Sequence, residues 1–129
     1  SGWSDASKSA LGDMPKTEFV GYTQYRTEAK VIAILAEDNL VDSVSEGDCT
    51  VILDRTPFYG EGGGQVGDTG VIRCGDTELT VTDTKKADGV YIHLCTVANG
   101  VLKVGDTVEA IIYRNNGHHN LTLTIEIAN

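Results

Sequence analysis

The residue types best suited to a binding site in this chain fall in one run of fifteen, Thr56-Pro57-Phe58-Tyr59-Gly60-Glu61-Gly62-Gly63-Gly64-Gln65-Val66-Gly67-Asp68-Thr69-Gly70. Gly62, Gly63 and Gly64 remove every Cβ from its centre, so a ligand or another chain can approach the backbone closely. Pro57 fixes the way in, and Phe58 and Tyr59 offer packing anchors. Glu61, Gln65 and Asp68 set two carboxylates and an amide around the flexible centre. A long β-hairpin turn draws on the same Gly and Asp residues, so composition alone leaves both readings open. A phosphate cradle fits poorly: neither GxGxxG nor GxxxxGK[ST] is present, and no lysine follows the glycines. Carboxylates beside glycine turns usually bond the backbone, so Glu61 and Asp68 are expected to cap the loop's own amides rather than act as a general base.

The remaining chemical groups are scattered. His93 stands between Ile92 and Leu94 in a strand-like run that points it to the opposite face from both. No nucleophile is placed beside it by sequence, and a packed or edge side chain is expected rather than a base. His118 and His119 are adjacent, which directs them to opposite faces of a strand and makes a poor two-point metal ligand. Cys49, Cys74 and Cys95 are odd in number, widely spaced and lack a CxxC pairing. They suit buried thiols better than a disulfide framework or a zinc site. No catalytic and no metal-binding residue is therefore assigned in this chain.

The elements that must hold the loop read as short strands. Glu28 to Leu35 is too apolar for a clean alternation and suits a strand buried on both faces. A turn at Glu37-Asp38-Asn39 leads to a strand from Leu40 to Val44, and a turn at Glu46-Gly47-Asp48 to another from Thr50 to Leu53. After the loop come Gly70–Cys74, a turn at Gly75-Asp76, Glu78–Thr84, a turn at Ala87-Asp88-Gly89, Val90–Cys95, and Val108–Tyr113. Strands at this spacing with Gly/Asp turns and no helical period predict an all-β fold, a closed or partly open antiparallel barrel or a sandwich. A barrel handles its edges best.

At 129 residues the chain is one domain, large enough for a single core. Residues 1–13 carry four serines and two glycines without apolar periodicity and read as a mobile leader or the remnant of a preceding domain, with Trp3 as a surface contact. No apolar run approaches the ~20 residues that span a bilayer, and the first residues do not resemble a signal peptide, so a soluble cytoplasmic protein is expected. The formal charge of -9 speaks against a general nucleic-acid binder, because neutralising phosphate needs clustered Lys and Arg. It is compatible with one wall of an RNA site whose basic surface lies on other domains.

The order Thr-x-Phe-Tyr-x-Glu-x-Gly-Gly-Gln-x-x-Asp-x-Gly closely resembles the glycine-rich motif of alanyl-tRNA synthetases and their free-standing editing relatives. Upstream, Thr17-Glu18-Phe19-Val20-Gly21-Tyr22 is similar to the Thr-x-Phe-x-Gly-Tyr segment of the same synthetases. Downstream, Leu102-Lys103-Val104-Gly105-Asp106-Thr107-Val108 is similar to their Leu-x-x-Gly-Asp-x-Val strand start. The resemblance implies a small β-barrel similar to the second domain of elongation factors. It also implies a parent that attaches alanine to tRNA(Ala) with ATP and Mg and removes mischarged serine or glycine at a zinc-assisted editing site. Gly62, Gly63, Gly64 and Gln65 would then lie near the tRNA, with Phe58, Tyr59, Glu61 and Asp68 anchoring the loop. The expected partners are tRNA(Ala), through the parent, and the remaining synthetase domains; neither DNA nor a membrane is expected.

The zinc ligands of the resembled synthetases are a His-x-x-x-His and a Cys-x-x-x-His pair, and this chain has neither, so no cofactor is expected in it. From Gly117 the sequence departs from the family. Leu121, Leu123, Ile125 and Ile127 alternate with polar residues as in a half-buried strand, and a non-native tail is expected there. The predicted organisation is a leader over 1–21, a barrel over 22–116 and an atypical tail over 117–129. Two other readings stay open at this point: a truncated free-standing editing hydrolase, and a non-enzymatic barrel that binds a protein partner through its acidic surface.

Overall fold

The run from Arg26 to Ala36 carries the closure of the fold, because one strand of that length can pair with different partners along its two halves. In the computed structural model, which describes residues 4–62 and 64–113, the chain forms α1 Asp5–Leu11, β1 Glu18–Phe19, β2 Arg26–Ala36, β3 Asn39–Val41, β4 Ser43–Val44, β5 Asp48–Leu53 and β6 Arg55–Thr56. It continues with β7 Gly70–Cys74, β8 Thr77–Ala87, β9 Val90–Asn99, β10 Leu102–Lys103 and β11 Thr107–Ile112. The order β2-β5-β9-β8-β7-β11 is antiparallel throughout, and β11 returns to β2, with Thr107 opposite Lys30 and Ile111 opposite Arg26. Six strands thus close a barrel with no open edge between first and last. The second half of β2 pairs β3 instead, with Ile34 opposite Val41.

A register shift between Val31 and Ala33 explains why β2 is not a clean alternation in sequence. Ala29 and Val31 point into the barrel; past the bulge Ile34 does so, while Ala33 and Leu35 face outward. The outer face is not wet, because α1 covers it. Leu11 packs there with Ala33, Leu35, Ile52, Val90 and Ile92. A seven-residue helix is too short to hold itself, so this contact and its caps sustain it. Ser4 Oγ accepts the Ser7 amide at 3.1 Å, and Gly12 at φ 64 ends the helix.

This helix stands where the sequence predicts a leader without regular structure. Two further differences are local. The strand predicted from Leu40 to Val44 divides, β3 pairing with β2 and β4 with β10. The hairpin turns lie where Gly and Asp predict them, with φ of 51 and 65 at Glu37 and Asp38, 58 at Gly75, and 52 and 81 at Asp88 and Gly89. Trp3, Gly63, the His118-His119 pair and the alternating tail lie outside the described residues.

Candidate functional site

The glycine-rich stretch leaves β6 at Thr56 and returns to the barrel at Gly70, the first residue of β7. Its first anchor is Phe58, which is fully buried and packs with Ile72, Val81 and Leu53 in the barrel core. The Phe58 ring meets the His93 imidazole edge to face at 5.3 Å. His93 itself is fully buried and points inward from β9, opposite to Ile92.

The hydrogen bonds around His93 fix its tautomer. Nδ1 lies 2.8 Å from the Val51 carbonyl oxygen, which can only accept, so Nδ1 carries the hydrogen. Nε2 is then the acceptor for the Thr56 hydroxyl at 2.8 Å. The Thr56 oxygen in turn accepts the Phe58 amide at 3.1 Å. Burial pushes the imidazole pKa down to about 4, against a smaller upward pull from the Val51 carbonyl. The ring is neutral at physiological pH and has no exposed edge, so it ties the start of the loop to the barrel and exchanges no proton with solvent.

The second wall of the loop is the end of β8. Asp83 Oδ1 accepts both the Gly67 amide at 2.7 Å and the Thr84 amide at 2.8 Å. Thr84 donates its hydroxyl to the Asp68 carbonyl at 2.9 Å, and its own carbonyl accepts the Glu61 amide at 3.1 Å. Lys85 Nζ reaches the Gln65 carbonyl at 3.0 Å and Asp83 Oδ2 at 3.2 Å. Asp68 Oδ2 accepts the Tyr59 amide at 2.9 Å, and the Asp68 amide returns a bond to the Tyr59 carbonyl at 2.9 Å. Tyr59 leaves its ring half-exposed against Phe19. Glu61 is half-buried, and its backbone forms an isolated parallel β-bridge with Lys85.

The glycines divide into two sets. A Cβ on Gly60 would meet the Lys85 carbonyl at 2.7 Å, one on Gly67 would collide with the Thr84 carbonyl oxygen, and one on Gly70 with that of Ile111. These single glycines are required by backbone contact. Gly62 and Gly64 have no such contact: the nearest atom to a Cβ on Gly62 is 3.8 Å away, and Gly64 has nothing within 4 Å. Both are exposed, as is Gln65. Gly62 and Gly64 are therefore glycines that the fold does not need, and the loop presents their bare backbone and the side chains of Gln65 and Val66 to solvent from a base fixed on two sides.

Sequence reasoning misses Asp83, Thr84 and Lys85. No local sequence pattern marks them: the inward alternation of Thr77, Leu79 and Val81 breaks at a register shift between Val81 and Asp83 that only the strand pairing reveals. The cysteines take no part in this site. Cys49 and Cys95 face each other across β5 and β9, both buried. Burial raises the Cys49 thiol to about 12, with a further push from Asp48, and raises Cys95 well above the usual thiol range. Among the described residues no group of three or more His, Cys, Asp or Glu side chains converges on a metal position. No helix among them is long and apolar enough to cross a membrane. Two surface grooves, of about 690 and 350 Å³, lie against α1, and neither is lined by residues 56–70.

Residues 3–116 match the family described as tRNA synthetases class II (A). Over 114 residues the chain is 47% identical to an alanine–tRNA ligase of Acetivibrio thermocellus, an alignment that covers 87% of this chain and 13% of that protein. It is 40% identical over 126 residues to an alanine–tRNA ligase of Thermoanaerobacter sp., covering 95% of this chain and 14% of that protein. With an alanine–tRNA ligase of Rhizobium meliloti it shares 46% identity over 92 residues, 70% of this chain and 10% of that protein. The chain spans no more than 14% of the length of these curated relatives. The family match encloses the barrel, the buried His93 and the whole glycine loop, and the chain belongs to the class II (A) tRNA synthetases.

Proposed function

We propose that the chain is the barrel segment of an alanine–tRNA ligase and that its glycine loop faces the aminoacylated 3′ end of the tRNA at the entrance to the editing pocket. The observation that carries this reading is the division of the glycines: Gly60, Gly67 and Gly70 are held by backbone contacts, while Gly62 and Gly64 are open to solvent beside Gln65. A fixed base under a bare backbone lets a ribose or ester approach the amides closely, and the Gln65 side chain can donate or accept a hydrogen bond there. The parent would attach alanine to tRNA(Ala) with ATP and Mg, and hydrolyse serine or glycine wrongly attached at a zinc-assisted site. ATP and metal ligands are assigned to other parts of the parent, and the barrel supports rather than performs the chemistry. Residues 1–21 then link the barrel to a preceding domain, and the parent works in the cytoplasm.

The chain's acidity does not oppose this if other parts of the parent supply most of the RNA affinity and the loop supplies a weak contact of its own. A titration of the chain with tRNA(Ala) at low and moderate salt, followed by amide NMR over residues 56–70, tests the reading. Salt-sensitive binding that shifts the Gly62, Gly64 and Gln65 amides is expected. Binding that leaves those amides in place, or no binding at low salt, contradicts it.

A further inference from the structure

Tyr22 is 87% exposed, more than any other large hydrophobic side chain among the described residues. Its ring is nonetheless held. It meets Phe19 edge to face, with centroids 4.9 Å apart. Phe19 lies flat on Tyr91, 5.4 Å away with the planes 8° apart, and takes the edge of Tyr59 at 5.8 Å. Lys86 Nζ stands 5.5 Å over the Tyr91 ring. A Cβ on Gly21 would collide with the Phe19 ring and lie 2.5 Å from the Pro57 carbonyl, so Tyr22 follows a backbone seated directly on the start of the glycine loop.

Leaving a large ring exposed to water has no folding advantage, and Tyr22 contributes little to the core. A pre-oriented exposed aromatic suits a partner with a π-face of its own. Unpaired nucleobases stack on such rings irrespective of sequence, and nearby cations take the adjoining phosphates. Lys86 lies beside the aromatic strip, and Lys85, which also pairs with Asp83, lies beside the loop; the Asp68 and Asp83 carboxylates there are engaged by main-chain amides of the loop.

We infer that Tyr22, backed by Phe19, is a stacking platform for an unpaired nucleobase of the RNA strand that reaches the glycine loop, with Lys86 placed for the neighbouring phosphate. This rests on the reading of the loop as RNA-facing. It adds a second contact point outside the loop.

The single-stranded RNA tetranucleotide ACCA, titrated into the chain by NMR at low salt, tests it. The expected result is a shift of the Tyr22 ring resonances, an affinity lowered about tenfold by Tyr22→Ala, and an affinity kept within about twofold by Tyr22→Phe. The substitutions lie at an exposed ring, so folding is retained. Binding that still shifts the Gly62 and Gly64 amides but is unchanged in Tyr22→Ala overturns the platform and leaves the loop reading intact. Absence of binding in the unaltered chain overturns both. Unchanged RNA affinity accompanied by a lower Tm of the Tyr22→Ala parent assigns the ring to packing against another domain, and also overturns the platform.

Discussion

His93 Nε2 and Thr56 Oγ1 lie 2.8 Å apart, both side chains fully buried, and this bond joins the wall of the barrel to the residue from which the glycine loop departs. The same hydroxyl oxygen accepts the Phe58 amide, so the first turn of the loop hangs on a neutral imidazole. Replacing His93 by leucine strands the Val51 carbonyl and the Thr56 hydroxyl inside the core. A loss of about 2–4 kcal/mol is expected, read from urea denaturation. Thr56→Val should cost less, about 1–2 kcal/mol, and lower hydrogen-exchange protection at the Phe58 amide.

The same histidine gives the barrel a pH dependence of definite sign. Its pKa is about 4 when folded and near 6.5 when unfolded, so between these values the unfolded chain binds a proton that the folded chain does not. The His93 contribution is therefore intact above pH 6.5 and is lost as the pH falls towards 4, by on the order of 3 kcal/mol. Urea midpoints measured from pH 7 to pH 4 should fall accordingly. The His93→Leu variant should lack this component and show only the slope from carboxylates.

The glycines should separate by position. Gly67→Ala and Gly70→Ala force a Cβ into the Thr84 and Ile111 carbonyl oxygens, and each is expected to cost more than about 2 kcal/mol. Gly62→Ala and Gly64→Ala meet open space and should leave stability unchanged or raise it by up to about 1 kcal/mol, since alanine restricts the unfolded chain. Thermal melts of the four variants make the comparison.

Asp83→Ala removes one carboxylate oxygen that serves two amides, those of Gly67 and Thr84. The expected outcome is faster hydrogen exchange at Gly67 with the barrel strands still protected, because the loop loses its Asp83 tie to β8 while the core keeps its contacts.

Much of the barrel is readable in the sequence because Gly and Asp mark the turns at Glu37-Asp38, Gly75-Asp76 and Asp88-Gly89, where positive φ admits few other residues. The helix is not readable, since seven residues with one large apolar side chain, Leu11, carry no period, and its stability comes from the outer face of β2, β5 and β9. The apolar character of Glu28 to Leu35 is legible, but its cause, a bulge at Ile32 together with a covering helix, is a tertiary fact. In the loop, Phe58 reads as an anchor, and burial explains why. The partner groups Asp83, Thr84 and Lys85 sit about twenty residues away in sequence, and no local pattern names them. Nor does spacing reveal which glycines touch a backbone: in the loop, Gly60, Gly67 and Gly70 do, whereas Gly62 and Gly64, from the run that stands out, do not.

The place of the loop in function comes down to Gln65, exposed at its centre with its carbonyl held by Lys85. In an alanine–tRNA ligase carrying the Gln65→Ala change, hydrolysis of Ser-tRNA(Ala) is expected to slow by at least tenfold, about 1.4 kcal/mol, while the rate of alanine attachment stays the same. An unchanged hydrolysis rate, with attachment also unchanged, would contradict the assignment of the loop to the editing entrance.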